Sequence, residues 1–142
     1  MKRIISTLLT LTLVLGCCCV PAFASSSSVA RASLILTQYS AILEAGENRN
    51  EIKVSFTVLT DRKAESLGVE TIKLYKANGN YVSTINGTIE NGLVATNNVY
   101  SCGTYVISLT SGVSYYAEVT IFADNGTVYD SRTVTTATVK AP

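Results

Sequence analysis

The sequence predicts an all-β protein, an antiparallel β-sandwich of about seven strands, on three observations. Apolar and polar residues alternate with period two over much of the chain. Four Asn-Gly pairs (Asn78-Gly79, Asn86-Gly87, Asn91-Gly92 and Asn125-Gly126) punctuate that alternation with the chemistry of tight hairpin turns. No run between the strands has the length and helical period that a parallel crossover needs. A small closed barrel is the other arrangement that this periodicity allows.

Residues 1–24 read as a secretory signal peptide. Met1-Lys2-Arg3 gives a positive start, Ile4 to Val20 is apolar without a charge, and Pro21-Ala22-Phe23-Ala24 forms a small-residue cleavage site before Ser25. An uncleaved membrane anchor is the first alternative, but the apolar stretch is interrupted by Ser6, Thr7, Thr10 and Thr12 and is shorter than the roughly 20 residues a span requires. The second alternative is a bacterial lipoprotein signal at Val14-Leu15-Gly16-Cys17, in which Cys17 carries the lipid and Ser25 to Ser28 tether the domain. Residues 25–30 read as a disordered lead-in, and a single domain is expected over 31–140.

Within that domain Ala32 to Leu43 reads as a bent strand or two short ones, with Leu34, Leu36 and Ile42 in one phase. Glu51 to Thr60 gives the clearest alternation: Ile52, Val54, Phe56 and Val58 share a face against Lys53, Ser55 and Thr57. Asp61 to Leu67 is the one expected helical element, with Thr60 or Asp61 as its cap and Gly68 as its stop. Val69 to Lys76 places Ile72 and Leu74 inward and Thr71, Lys73 and Tyr75 outward. Tyr81 to Asn86 and Thr104 to Leu109 are short strands. Tyr115 to Ala123 is long and regular, its odd positions inward and Tyr116, Glu118, Thr120 and Phe122 outward. Thr127 to Val139 slips phase near Ser131, as a bulged or edge strand does. The buried cluster is expected to comprise Ile52, Val54, Phe56, Val58, Ile72, Leu74, Leu109, Tyr115, Ala117, Val119 and Ile121.

The run Leu109 to Gly126 resembles the penultimate strand of fibronectin type III domains: a Leu, a Gly-containing turn, a Tyr six residues after the Leu, alternating apolar residues, a small Ala and a Gly turn. The resemblance covers the last third of the chain. It implies an immunoglobulin-like sandwich, with Tyr115 as a tyrosine-corner residue bonded to backbone upstream and Thr133 to Thr136 in the closing strand. As a leader plus one β domain, the chain also resembles small exported proteins of Gram-positive bacteria. That implies a fold and a compartment, and no activity.

Composition narrows the chemistry. The full sequence has 11 basic and 10 acidic side chains, net +1; loss of Lys2 and Arg3 with the leader turns this to −1. The basic residues are dispersed, so no nucleic-acid face is expected. Cys17, Cys18 and Cys19 leave with the leader, and Cys102 remains without an internal disulfide partner, as a packed small residue or an intermolecular thiol. Histidine is absent, which removes imidazole bases and ligands. The carboxylates, including Glu70 and Glu118 in outward phase, lie in no apolar context that raises a pKa. Asp124-Asn125-Gly126 with Asp130 supplies oxygen ligands of the kind calcium takes, but a hairpin turn accounts for the first three at once. Asn86-Gly87-Thr88 and Asn125-Gly126-Thr127 fit the glycosylation sequon.

No catalytic residue, metal ligand or cofactor is therefore expected, and no stable membrane insertion once the leader is cleaved. The positive hint is aromatic. Tyr75, Tyr116 and Phe122 fall in the outward phase and form a candidate recognition patch; ordinary cross-strand packing is the competing explanation. The expectation is a secreted, non-catalytic binding or structural module with a protein partner. The alternatives are a carbohydrate-binding module that presents coplanar Tyr rings, or a small inhibitor that presents a loop over Asn86 to Gly103.

Overall fold

The structure, a computed structural model, describes residues 35–142. The leader, the cleavage between Ala24 and Ser25, the alternative lipid site at Cys17 and the lead-in over 25–30 lie outside the described residues. Those described form seven strands: β1 (Leu36–Ala45), β2 (Glu51–Lys76), β3 (Tyr81–Asn86), β4 (Val94–Ser108), β5 (Ser114–Asp124), β6 (Tyr129–Thr135) and β7 (Val139–Lys140). Every pairing is antiparallel.

The strands are not divided between the two sheets of the expected sandwich. They form one sheet that curls into a half-barrel, because β2 runs through it as a 26-residue spine. One side of β2 is flanked by β1 and then β5, the other by β4 and then β3. β6 and β7 follow each other along the far side of β5.

The helix expected over Asp61 to Leu67 is absent; that stretch is part of β2. Seven residues are too few to offset helix nucleation alone, whereas extended backbone here gains partners on both sides. Ser66 pairs with Thr96 and Asp124, and Leu67 with Ala95 and Ala123. The bend needed to curl the sheet lies just before, where β2 advances from Leu59 to Ala64 while β4 advances only from Tyr100 to Asn98. The Thr60 hydroxyl lies within bonding distance of the carbonyls of Arg62 (2.7 Å) and Val99 (3.0 Å), which ties this bulge down. Asp61 does not cap; its carboxylate pairs with the Arg62 guanidinium at 2.7 Å, and that bond holds its pKa below the usual value.

The core follows the alternation. Ile52, Val54, Phe56, Val58, Ile72, Leu74, Tyr115, Ala117, Val119 and Ile121 lie in one buried cluster, with Leu109 partly buried against it. Leu67, Val69, Leu93 and Ala123 complete its centre. β1 departs from its expected phase. Leu36 is buried, but a register shift between Leu36 and Gln38 flips the strand, so that Ala41 and Leu43 turn inward and Ile42 is 52% exposed.

Two of the four Asn-Gly pairs close hairpins. Asn78-Gly79 joins β2 to β3, and Asn125-Gly126 joins β5 to β6, with positive φ at the Gly. Asn91-Gly92 makes a turn inside the β3–β4 connection, where the Gly92 amide bonds the Ile89 carbonyl. Asn86-Gly87 turns nothing. Gly87 is there because the backbone passes so close to β2 that a Cβ would collide with the Val69 carbonyl. The long C-terminal strand breaks at Thr136, not Ser131: Thr136 donates its amide to the Ala117 carbonyl (2.9 Å) and accepts the Ala117 amide on its hydroxyl (3.0 Å).

Tyr115 behaves as its resemblance implied. It is buried, and its hydroxyl accepts the Thr110 amide at 3.3 Å, which clasps the β4–β5 turn to the core.

Candidate recognition surface

The outer face of β3, β2, β5 and β6 collects the outward side chains into cross-strand rows. Tyr75 lies opposite Tyr81 on one side and Tyr116 on the other. Lys73 faces Thr84 and Glu118, and Thr71 faces Asn86 and Thr120. Across β5, Glu118, Thr120, Phe122 and Asp124 meet Thr135, Thr133, Ser131 and Tyr129.

Two of the three residues expected to form the patch come together, and the third does not. The Tyr75 and Tyr116 rings are stacked with centroids 5.2 Å apart and planes 13° from parallel, and Tyr81 packs edge-on against Tyr75 at 5.9 Å. Phe122 lies six residues farther along β5, roughly 20 Å away at strand rise, and stacks on Tyr129 at 5.9 Å. The surface thus has an aromatic cluster at each end. Between them runs a hydroxyl-rich strip, in which Thr120 and Thr133 bond each other at 3.1 Å.

Tyr81 (60% exposed) and Tyr129 (50%) are the ring members most open to solvent. Alternation within a strand did not single them out. The signal was hairpin register: closing β2–β3 on Asn78-Gly79 and β5–β6 on Asn125-Gly126 brings each ring back beside its partner.

The Tyr75 hydroxyl donates to Glu118 Oε2 at 3.2 Å. Partial burial foremost, then the Glu118 carboxylate and this bond, hold the phenol above its usual pKa. Tyr129 is raised likewise, by burial and then by Glu70. A raised tyrosine pKa contributes stability that is present below the ordinary value of about 10 and is lost as pH rises through the folded-state value. Glu118→Gln is expected to move the Tyr75 titration down toward the ordinary value, followed by the ring-carbon shift in a tyrosine-labelled sample. An unmoved titration would show that Glu118 plays no part.

The calcium-type ligand set is not assembled. The Asp124 carboxylate accepts the Gly126 amide at 2.8 Å and Asn125 Oδ1 accepts the amides of Thr127 and Val128, both inside the turn, whereas Asp130 points into the buried face. Among the described residues no group of three or more His, Cys, Asp or Glu gathers around a common point. The expected inhibitor loop is largely strand: β4 begins at Val94 and takes in the stretch up to Gly103. Cys102 is exposed on the outer face of β4, and its side chain is the first cause of a raised Tyr100 pKa.

No family model and no curated protein matches the chain. Among solved structures it is similar to part of a family 76 glycoside hydrolase from a bovine Bacteroides thetaiotaomicron strain, at 15% identity and a TM-score of 0.41, over 73% of this chain. The match spans 20% of that enzyme's chain.

Proposed function

We propose that this chain is a non-catalytic interaction module, exported from the cell, that holds a protein partner on the outer face of β3, β2, β5 and β6. The observation that carries the reading is the pair of aromatic clusters, Tyr75–Tyr81–Tyr116 and Phe122–Tyr129, at the ends of a hydroxyl-rich strip. Tyrosine suits such a surface because a broad ring carries a polar tip and orders few rotors on binding. The leader pattern supports the extracellular setting, and the Tyr115–Thr110 clasp supports kinship with immunoglobulin-like modules.

The carbohydrate-binding alternative is disfavoured by the ring geometry. Parallel rings 5.2 Å apart cover each other's faces and do not lie side by side as a flat platform. The test is affinity capture from culture supernatant and cell wall with the wild-type protein and a Tyr81→Ser, Tyr129→Ser double variant, whose changes fall on exposed rings. Partners held by the wild type and released by the variant support the reading. Equal retention by both overturns it, and glycans as the species lost would favour the carbohydrate alternative.

A further inference from the structure

We propose that the free edge of β4 binds a second copy of this chain, the two β4 strands pairing antiparallel about a two-fold axis to continue the sheet. This interface is separate from the aromatic face and does not rest on its role.

Topology leaves the edge open: among the described residues β4 pairs with β2 alone. Backbone phase shows which groups face outward. The Leu109 amide bonds the Asn50 carbonyl, and the Val99 carbonyl takes the Thr60 hydroxyl, so odd positions aim at β2. In an antiparallel ladder the alternate residues aim the other way. The amides and carbonyls of Cys102, Thr104, Val106 and Ser108 therefore point off the edge, whereas the Tyr100 amide is already taken by Asn98 Oδ1 at 3.4 Å.

Exposed edges are ordinarily blunted by charge or proline. β1 carries Glu44, β6 carries Asp130 and Arg132, and β7 carries Lys140. β4, like β3 on the same side of β2, has neither a charge nor a proline over Val94–Ser108. The core also runs out here. Inward residues of β2 and β5 are fully buried, whereas Tyr105 and Ile107 of β4 are only partly so. A strand added at β4 covers them.

The occupant follows from charge and symmetry. An uncharged edge accepts an uncharged strand without burying an unpaired charge, and β4 meets that requirement for itself. A two-fold contact consumes the same edge on both copies, which closes the assembly at a dimer. With the axis between Cys102 and Val106, the two Cys102 thiols lie on one face of the joined sheet, within about 15 Å of each other.

The test is sedimentation of the full purified protein across a concentration series, with a bismaleimide of matching reach as a probe of Cys102. A monomer–dimer equilibrium and Cys102–Cys102 cross-linking are expected. Val106→Lys, at a position 51% exposed, is expected to weaken dimerisation severalfold by placing a charge on the joining edge, opposite Cys102 of the second copy. Its unfolding midpoint, measured where the wild type is monomeric, is expected to stay put. Thr104→Lys serves in its place if that variant fails to fold. Ile42→Lys, on the outer face of β1, is expected to leave dimerisation intact. A chain that stays monomeric at all concentrations, or dimers equally tight in the β4 lysine variant, would overturn the proposal.

Discussion

Asp130→Ala is expected to destabilise the protein by about 2–4 kcal/mol, chiefly because two buried amides lose their acceptor, with a smaller part from the ion pair to a partly exposed arginine. Asp130 lies on β6 opposite Ala123, and its side chain is 4% exposed. One carboxylate oxygen accepts the amides of Ile35 and Leu36 at 3.2 and 3.3 Å; the other takes the Arg132 guanidinium at 2.7 Å. A single side chain thereby joins the start of β1 to β6, two strands that share no backbone ladder. Alanine deprives both amides of this acceptor in a place water does not reach, and removes the Asp130–Arg132 ion pair. Asp130→Asn keeps an acceptor and is expected to cost less. Urea unfolding followed by tyrosine fluorescence measures both, and amide exchange at Ile35 and Leu36 should quicken first. A loss below about 1 kcal/mol, the range of exposed ion pairs, would contradict the assigned role.

Phe56→Ala is expected to cost a similar amount, about 3–5 kcal/mol. Phe56 is 3% exposed on the first half of β2 and faces Gly103 of β4. Its ring lies over that glycine so closely that a Cβ there would come within 2.9 Å of it. The ring fills space that no side chain on β4 occupies, and its removal leaves a cavity that the flanking strands cannot close without losing pairs. Gly103→Ala tests the same contact from the other side: the methyl must push the ring off its place, so a smaller loss is expected, and Phe56→Leu with Gly103→Ala should recover part of it. Additive losses in that double variant would contradict the contact.

The contrast between what could and could not be read from the chain has a physical basis. β5 and the first half of β2 bury one whole face, and burial imprints period two directly on the sequence. The same alternation points Tyr75, Tyr116 and Phe122 away from the core, in the cross-strand rows of the outer face. β4 buries little over Val94–Ser108, so its first half carries no alternation and reads as loop. Asp61 to Leu67 has helix-forming composition, but its fate is decided by Ala95, Asn98 and Ala123, partners that are distant in sequence and invisible to a local reading. The phase of β1 was lost to a bulge, which shifts every later side chain to the opposite face while leaving composition unchanged. Pairwise ring contacts were out of reach for a related reason. The stacking of Tyr75 on Tyr116 depends on the register between β2 and β5, which the long connection between them does not dictate.

Both the core and the aromatic surface depend on β2 remaining extended from Glu51 to Lys76, since that continuity carries one sheet around the bend. Nuclear Overhauser contacts of Leu67 test it most directly. The structure predicts cross-strand backbone contacts from Leu67 to Ala95 on one side and to Ala123 on the other. Strong sequential amide–amide contacts from Asp61 to Leu67, with neither cross-strand contact present, would mean a helix there and would contradict the single curled sheet.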